Sequence, residues 1–553
     1  MNNDQPESAS RRSMLAQSLA LAVGSVVASD ALAQASHQPA PGASPAQRPK
    51  SQHRVDVLIV GGGSAGAVMA RRLSESATRN VLLLEAGHDF AAWDYPHVLS
   101  ESDIVGGTTQ FDWNYDWGYA TQPGYVNHPI KAVRGKVLGG SSAINGAVAI
   151  RARPQDFANW NLPGWAYSDV LPAFRRLENH YGGEPGLHGN AGPLPVRQLT
   201  RGDLTPMQRA FVDATLANGF ASVDDFDGAN ANGVGPYSMN VVNGVRVNTG
   251  MAYLSNDIRA RENLRIRGGV QVDRVLFDHD RAIGVVLATG ETIHADEVVL
   301  SAGTYGSAAI LLRSGVGPQA DLRQLGIPQV ADLPVGQRLK DHPFYYNAYA
   351  ARPDRIGLAS PAIGAFLWTG SSHAEHGDLD LHITATHLFP QAQSPTKAGF
   401  VLAVALTRPD SVGSLKLADR RAGSAPVIDL NFLGETRDRV RLLEGIRLAR
   451  RIGATAPLAG LIDSELNPGP NAVGDDALLA SAKATLDTYH HPTSTAPMGQ
   501  INDPNAVVDL EGRVHGVRGL RVVDASIFPD AISVATNITT IAAAEHIASR
   551  YRQ

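Results

Sequence analysis

The chain has no cysteine in its 553 residues. That excludes disulfides, thiolate metal sites, iron–sulfur clusters, a c-type haem and any cysteinyl cofactor link. A resident redox group must then be organic or held by histidine and carboxylate. Helix-borne HxxxH pairs and histidine-rich acidic clusters with ligand spacing are missing too, so no metal site is expected. There is no strong Lys/Arg block, and the formal net charge is -5, which leaves no electrostatic reason for a nucleic-acid partner. Long apolar runs are absent. The longest candidate, Met14 to Ala28, is interrupted by Gln17, Ser18 and Ser25 and falls short of the ~20 residues a membrane helix needs.

That run instead has the layout of an export signal. Ser10-Arg11-Arg12 precede it, and two A-x-A sites, Ala31-Leu32-Ala33 and Ala33-Gln34-Ala35, follow. The arginine pair resembles a twin-arginine signal, which carries folded proteins outward, so residues 1–35 are expected to direct the chain to the periplasm or medium. Residues 36–53, rich in Pro, Ala, Ser and Gln, read as a linker. The mature chain is too long for one core.

Glycine is abundant, with 55 residues against a usual ~7%. Its most informative cluster follows the apolar run Val55-Asp56-Val57-Leu58-Ile59-Val60, a buried parallel strand by composition. Gly61-Gly62-Gly63-Ser64-Ala65-Gly66 comes next, then a helix-compatible stretch from Ala67 to Ser74 and a second strand, Val81 to Leu84, ending in Glu85. Gly61 allows the tight turn, Gly63 lets backbone approach a pyrophosphate, and Gly66 lets helix and strand pack closely. The helix N-terminus, with Ser64 and Ala65, offers free N–H donors. Glu85, 19 residues after Gly66, is spaced to accept hydrogen bonds from an adenosine ribose. This motif serves FAD and NAD alike.

Other segments resolve that choice by resemblance. Arg134-Gly135-Lys136-Val137-Leu138-Gly139-Gly140-Ser141-Ser142-Ala143-Ile144-Asn145-Gly146 is similar to the first signature of the glucose–methanol–choline (GMC) oxidoreductases. Ala302 to Ser307, running to Pro318, resembles the second, and Gly336-Gln337-Arg338-Leu339-Lys340-Asp341-His342-Pro343 a further landmark. Tyr489-His490-His491-Pro492 to Gly499, and Val523-Asp524-Ala525-Ser526 to Asn537-Ile538-Thr539-Thr540, complete a set in family order over residues 55–550.

The resemblance implies an α/β chain, α+β overall: a Rossmann-like FAD-binding domain and a substrate domain built on an antiparallel sheet flanked by helices. The first would take residues 54–155, 240–345 and 500–553, the second 156–239 and 346–499. Gly139, Gly140 and Asn145 would lie along the flavin, Val272 beside the adenine, and Asp524 by the ribityl–pyrophosphate region. For Val272 ordinary strand packing, and for Asp524 a helix cap, remain open. Family members that attach flavin through histidine do so in the loop matching Gly139 to Gly146, which has none here; FAD is expected without a covalent link, His128 being the nearby exception to check.

Removing a hydride from a carbinol carbon also requires loss of the hydroxyl proton. A neutral imidazole suits that transfer. Among 18 histidines the resemblance selects His491, the one before proline, with the Asn537 amide holding the substrate oxygen. His490 is the rival. If residues 487–491 are extended, adjacent side chains face opposite sides and only one can meet the flavin. His342, beside Asp341, is read as fixing a loop. The expected substrate is a small primary or aryl alcohol such as a hydroxymethyl-furan, with oxygen, a quinone or a cytochrome as acceptor. Choline or polyol dehydrogenation, hydroxynitrile lysis on a non-redox flavin, an NAD enzyme and a nucleotide-binding module are the competing readings.

Overall fold

A computed structural model describes residues 55–551 apart from positions 185 and 376; the expected export signal and linker lie outside the described residues. Val55–Val60, Val81–Leu84, Leu264–Arg267, Thr292–Leu300 and Leu520–Val522 form a parallel sheet. Val55–Val60 sits at its centre between Val81–Leu84 and Thr292–Leu300. These strands are apolar because helices cover them. Ser64–Leu73 packs on Thr536–Ser549, so the start of the fold is closed by its end. Thr292–Leu300 is shared: its first residues pair antiparallel with Arg281–Leu287, which pairs in turn with Val272–Asp278.

A second sheet is antiparallel, in the order Ile462–Asn467, Pro343–Ala351, Gly399–Leu406, Leu381–Thr386, Ile363–Thr369, Gly233–Pro236. Thr436–Gly453 packs across its middle strands and Pro206–Ala217 across Ile363–Thr369. Gly399–Leu406 is buried at every residue; the helix Thr436–Gly453 packs on it, and its Val401 borders the cavity. Along Pro343–Ala351 the alternating Phe344, Tyr346 and Ala348 all face that cavity. Each expected layer is therefore present: a doubly covered parallel sheet for the nucleotide motif and an antiparallel sheet roofing the space beside it.

Among the described residues no helix is long and apolar enough to cross a membrane.

Candidate active site

A cavity of about 1340 Å³ runs between the two sheets, lined by the glycine turn at one end and by the terminal histidines at another. The turn is built as its composition demands. Gly61 adopts φ +96°, and a Cβ there would lie 2.5 Å from the Ser301 carbonyl oxygen; a Cβ on Gly66 would lie 1.9 Å from the Gly61 oxygen. No side chain caps the helix Ser64–Leu73, so its first N–H groups are available to an anion beside Ser64 and Ala65, which border the cavity. Gly140 presses on Gly63, where a Cβ would come within 2.8 Å of the Gly63 Cα. The space that a dinucleotide needs is kept by missing side chains.

Glu85 ends its strand at the cavity wall. Its Oε2 accepts from Gly62 N–H and its Oε1 from Gly87 N–H, each at 2.8 Å. Burial pushes the carboxyl up to about 7, while second lone pairs remain for a ribose. Val272 opens Val272–Asp278 and borders the cavity, as do Gly63, Gly140 and Asn145. Gly139 and Gly66 do not border it. Gly139 stands behind the wall at φ +91°, its absent side chain making room for Asn248. Asp524 borders the cavity and is a cap as well: Oδ2 accepts from Gly303 N–H (2.9 Å) and the Ser307 hydroxyl (2.6 Å), and Oδ1 from Ser526 N–H (2.9 Å). His128 is elsewhere; its ring bonds the Lys483 and Leu486 carbonyls.

The terminal histidines differ from expectation. The strand stops at Asp487–Thr488, and His490 turns the chain at φ +63°. The extended geometry assumed for residues 487–491 is thus broken, and His490 and His491 both border the cavity. Pro343 pairs with Thr488 and Tyr489 N–H donates to the His342 carbonyl (2.9 Å), which brings His342 up to His491. Their Nδ1 atoms lie 3.0 Å apart, so His342 is the partner of the expected base rather than a mere loop fastener. The Ile532 and Thr407 backbone carbonyls lie near the His342 ring, while its Nε2 is buried without a hydrogen-bond partner among the described residues. The facing Nδ1 atoms take one proton between them, and when His491 supplies it the Nε2 of His491 keeps its lone pair.

Burial, reinforced by His342 and the Arg134 guanidinium, holds His491 well below its ordinary range. Burial, with Arg134 second, lowers His490 to about 3, and burial alone leads in lowering His342 to about 3. All three imidazoles are neutral at pH 7. Asn537 stands at the start of Thr536–Ser549 on the same cavity. Its Oδ1 accepts from the Ser64 hydroxyl (2.7 Å), leaving the NH₂ to donate. Tyr489 leans on His491, ring centroids 4.3 Å apart, and stacks on Phe344 at 4.1 Å and 10°.

His342, Asp341 and Arg134 carried no individual signal in sequence beyond their place in motifs. Away from this site, Glu178, His180 and His188 come together, as do His188, Asp225 and Asp227. The Arg151 guanidinium already contacts Glu178 and His188, which supplies that cluster with its own cation.

Comparison with known proteins agrees with this geometry. The GMC oxidoreductase family models match residues 55–344 and 409–544. An oxygen-dependent choline dehydrogenase of Ectopseudomonas mendocina is 37% identical over 90% of this chain and 94% of its own. The mitochondrial choline dehydrogenase of Mus musculus is 34% identical over 92% and 91%. Among solved structures, pyridoxine 4-oxidase from "Mesorbium loti" superposes with a TM-score of 0.82 at 31% identity, covering 90% of this chain and 99% of that one. A fungal aryl-alcohol oxidase, TM-score 0.76 at 21% identity, shares the fold. The chain belongs to the GMC oxidoreductase family and is an FAD-dependent oxidoreductase that acts on alcohols.

Proposed function

We propose that this protein oxidises a small primary alcohol carrying a flat aryl or heteroaryl group, with His491 as the base. The observation that supports the reading is the His342–His491 contact at the cavity wall; in the reading His491 donates from Nδ1 to His342 and keeps its Nε2 lone pair for the substrate. FAD, when bound, supplies the acceptor for the hydride leaving the carbinol carbon. His491 Nε2 takes the hydroxyl proton, a transfer of the kind that contributes typically 10²–10⁴-fold. The Asn537 NH₂ donates to the substrate oxygen as negative charge grows there. Once protonated, His491 keeps its Nδ1–H bond to neutral His342, which spreads the charge without competing for the proton. Phe344 and Tyr489 present ring surface beside the base, suited to an aromatic substrate body.

The chain's own groups would hold the cofactor. The uncapped helix at Ser64 and Ala65 meets phosphate, Glu85 the ribose, Val272 the adenine, and Gly140 and Asn145 the flavin. Asp524 acts through the Gly303 and Ser307 contacts that shape the cavity edge. The link is non-covalent, and acid precipitation is expected to release all the flavin into the supernatant.

A cationic alcohol is a second reading, favoured by one observation. Asp487 borders the cavity, bonded by the Tyr346 hydroxyl (3.0 Å), with no Lys, Arg or His within ion-pair distance among the described residues. The choline dehydrogenases among the relatives fit that reading. Anaerobic mixing with a benzyl alcohol, a hydroxymethyl-furan and choline, read as loss of flavin absorbance, separates the two; a flavin left oxidised by every alcohol points to lyase chemistry. Repeating turnover with oxygen, a soluble quinone and a cytochrome identifies the acceptor. Export through residues 1–35 is part of the proposal, and the N-terminal mass of protein recovered from cell fractions tests it.

A further inference from the structure

Asp341 is buried, 3% exposed, yet none of its partners is a cation. Among the described residues no Lys, Arg or His nitrogen forms an ion pair with it. Everything it bonds belongs to the segments that carry the imidazoles. Its Oδ1 accepts from two backbone donors, His342 N–H at 2.7 Å and His491 N–H at 2.8 Å. Its Oδ2 accepts the Thr488 hydroxyl at 2.7 Å, and that hydroxyl oxygen accepts His490 N–H at 2.9 Å. One carboxylate therefore ties down, directly or through Thr488, the backbone of all three histidines.

The segment needs tying. A non-glycine residue at positive φ is uncommon and unfavourable, and His490 sits there at +63°. From the other side, Arg134 Nη2 donates to the His490 carbonyl at 2.8 Å. Without the acceptor at 341, three donors in a buried site lose their partners and the turn at His490 is free to relax. The ring it delivers, His491, would then leave line with His342 Nδ1.

We infer that Asp341 is a positioning residue of the alcohol-oxidation site, holding the turn at His490 so that the two imidazoles stay in register. The inference rests on the reading of His491 as base. The test measures anaerobic flavin reduction in the holoenzymes of D341A, D341N, T488V and H490G, with the dependence on alcohol concentration. The tautomer of His491 is followed by NMR in ¹⁵N-histidine-labelled protein. D341A is expected to slow reduction about 100-fold, the scale of a misplaced catalytic group, with FAD content and apparent alcohol affinity unchanged. D341N keeps one acceptor oxygen and is expected to lose about tenfold, as is T488V, which loses only the relay to His490. Glycine tolerates positive φ, so in the H490G background the D341A loss is expected to shrink about tenfold. The His491 signal is expected to change from one tautomer in the native protein to a mixture in D341A.

Reduction by D341A within threefold of native, or an equal loss with and without H490G, overturns the inference. Should D341A not fold, unchanged rates and an unchanged His491 signal in both D341N and T488V overturn it equally. A normal D341A together with a dead H491A would leave the base assignment standing, which keeps the two claims distinguishable.

Discussion

His342 and His491, 149 residues apart in the chain, meet nitrogen to nitrogen at 3.0 Å. Two imidazoles at that distance share one proton between facing nitrogens, so the state of one dictates the other. In the proposed mechanism His491 Nδ1 carries the shared proton and His342 Nδ1 accepts it, which leaves His491 Nε2 as the base. Replacing His342 by leucine removes the acceptor and frees His491 to adopt the wrong tautomer. Flavin reduction is expected to fall about 100-fold or more, since a mis-set tautomer in a comparable pair costs up to about 10⁴. H342N, whose amide oxygen can still accept, should lose less. Equal rates in H342L and the native enzyme would remove His342 from the mechanism.

The acid limb of activity should lie unusually low. His491 is held well below its ordinary range, chiefly by burial, so the free base persists as pH falls and is lost only below the usual imidazole range. The rate constant for flavin reduction at saturating alcohol is expected to stay within about twofold from pH 8 to pH 6. A half-point near 6.5 would mean an ordinary, solvated imidazole.

Stability should behave in the opposite way. Burial lowers His342 and His490 to about 3 and His387 and His546 to about 4, and it also depresses His382 and His491. Between pH 7 and 5.5 the unfolded chain binds protons at these sites and the folded chain does not, so stability falls as pH falls. Glu85, pushed by burial up to about 7, and Asp227 and Asp341, up to about 6, work the other way, since there the folded chain binds the proton. His188, which burial would lower but its bonds to Asp225 and Glu178 raise to about 9, joins them; the six depressed histidines outnumber these four groups, and Tm is expected to be lower at pH 5.5 than at pH 7. Calorimetry at both pH values checks the sign.

Cofactor loading tests the turn. G66A places a methyl 1.9 Å from the Gly61 oxygen, and G140A one 2.8 Å from the Gly63 Cα at φ +53°. Both should yield protein with little bound FAD, read from the ratio of flavin to protein absorbance. G460A, at a glycine with ordinary φ and open space around it, should load normally.

Much of this was legible in the chain because local chemistry decides it. The run Val55-Asp56-Val57-Leu58-Ile59-Val60, the glycine turn and Val81 to Leu84 became strand, turn and strand at the expected positions, with the helix between them starting at Ser64, three residues before the expected Ala67. Hydrophobic runs and glycine spacing carry that information within a few turns of chain. The turn at His490 was not legible, since a histidine at positive φ contradicts its own preference and persists only through Asp341, Thr488 and Arg134. The role of His342 was missed for a related reason: strand pairing between Pro343 and Thr488 creates it, and no pattern near His342 reports a partner so distant. Gly139 borders no cavity because its φ of +91° serves the turn beside Asn248.

Asn537 should separate charge from shape. N537A removes the NH₂ donor and is expected to slow flavin reduction about 10–100-fold, below the cost of losing a full oxyanion donor. N537D puts a carboxylate beside the developing negative oxygen and should be slower still. An N537D enzyme faster than N537A would place the substrate oxygen elsewhere.

The most direct measurement is stopped-flow anaerobic reduction of the bound flavin by a primary aryl alcohol, native enzyme against H491A, each matched for FAD content. Rapid bleaching in the native protein and a loss of about 10³-fold or more in H491A, within the range for a general base, is the predicted result. Comparable bleaching in both, with flavin equally retained, would contradict the assignment of the proton to His491.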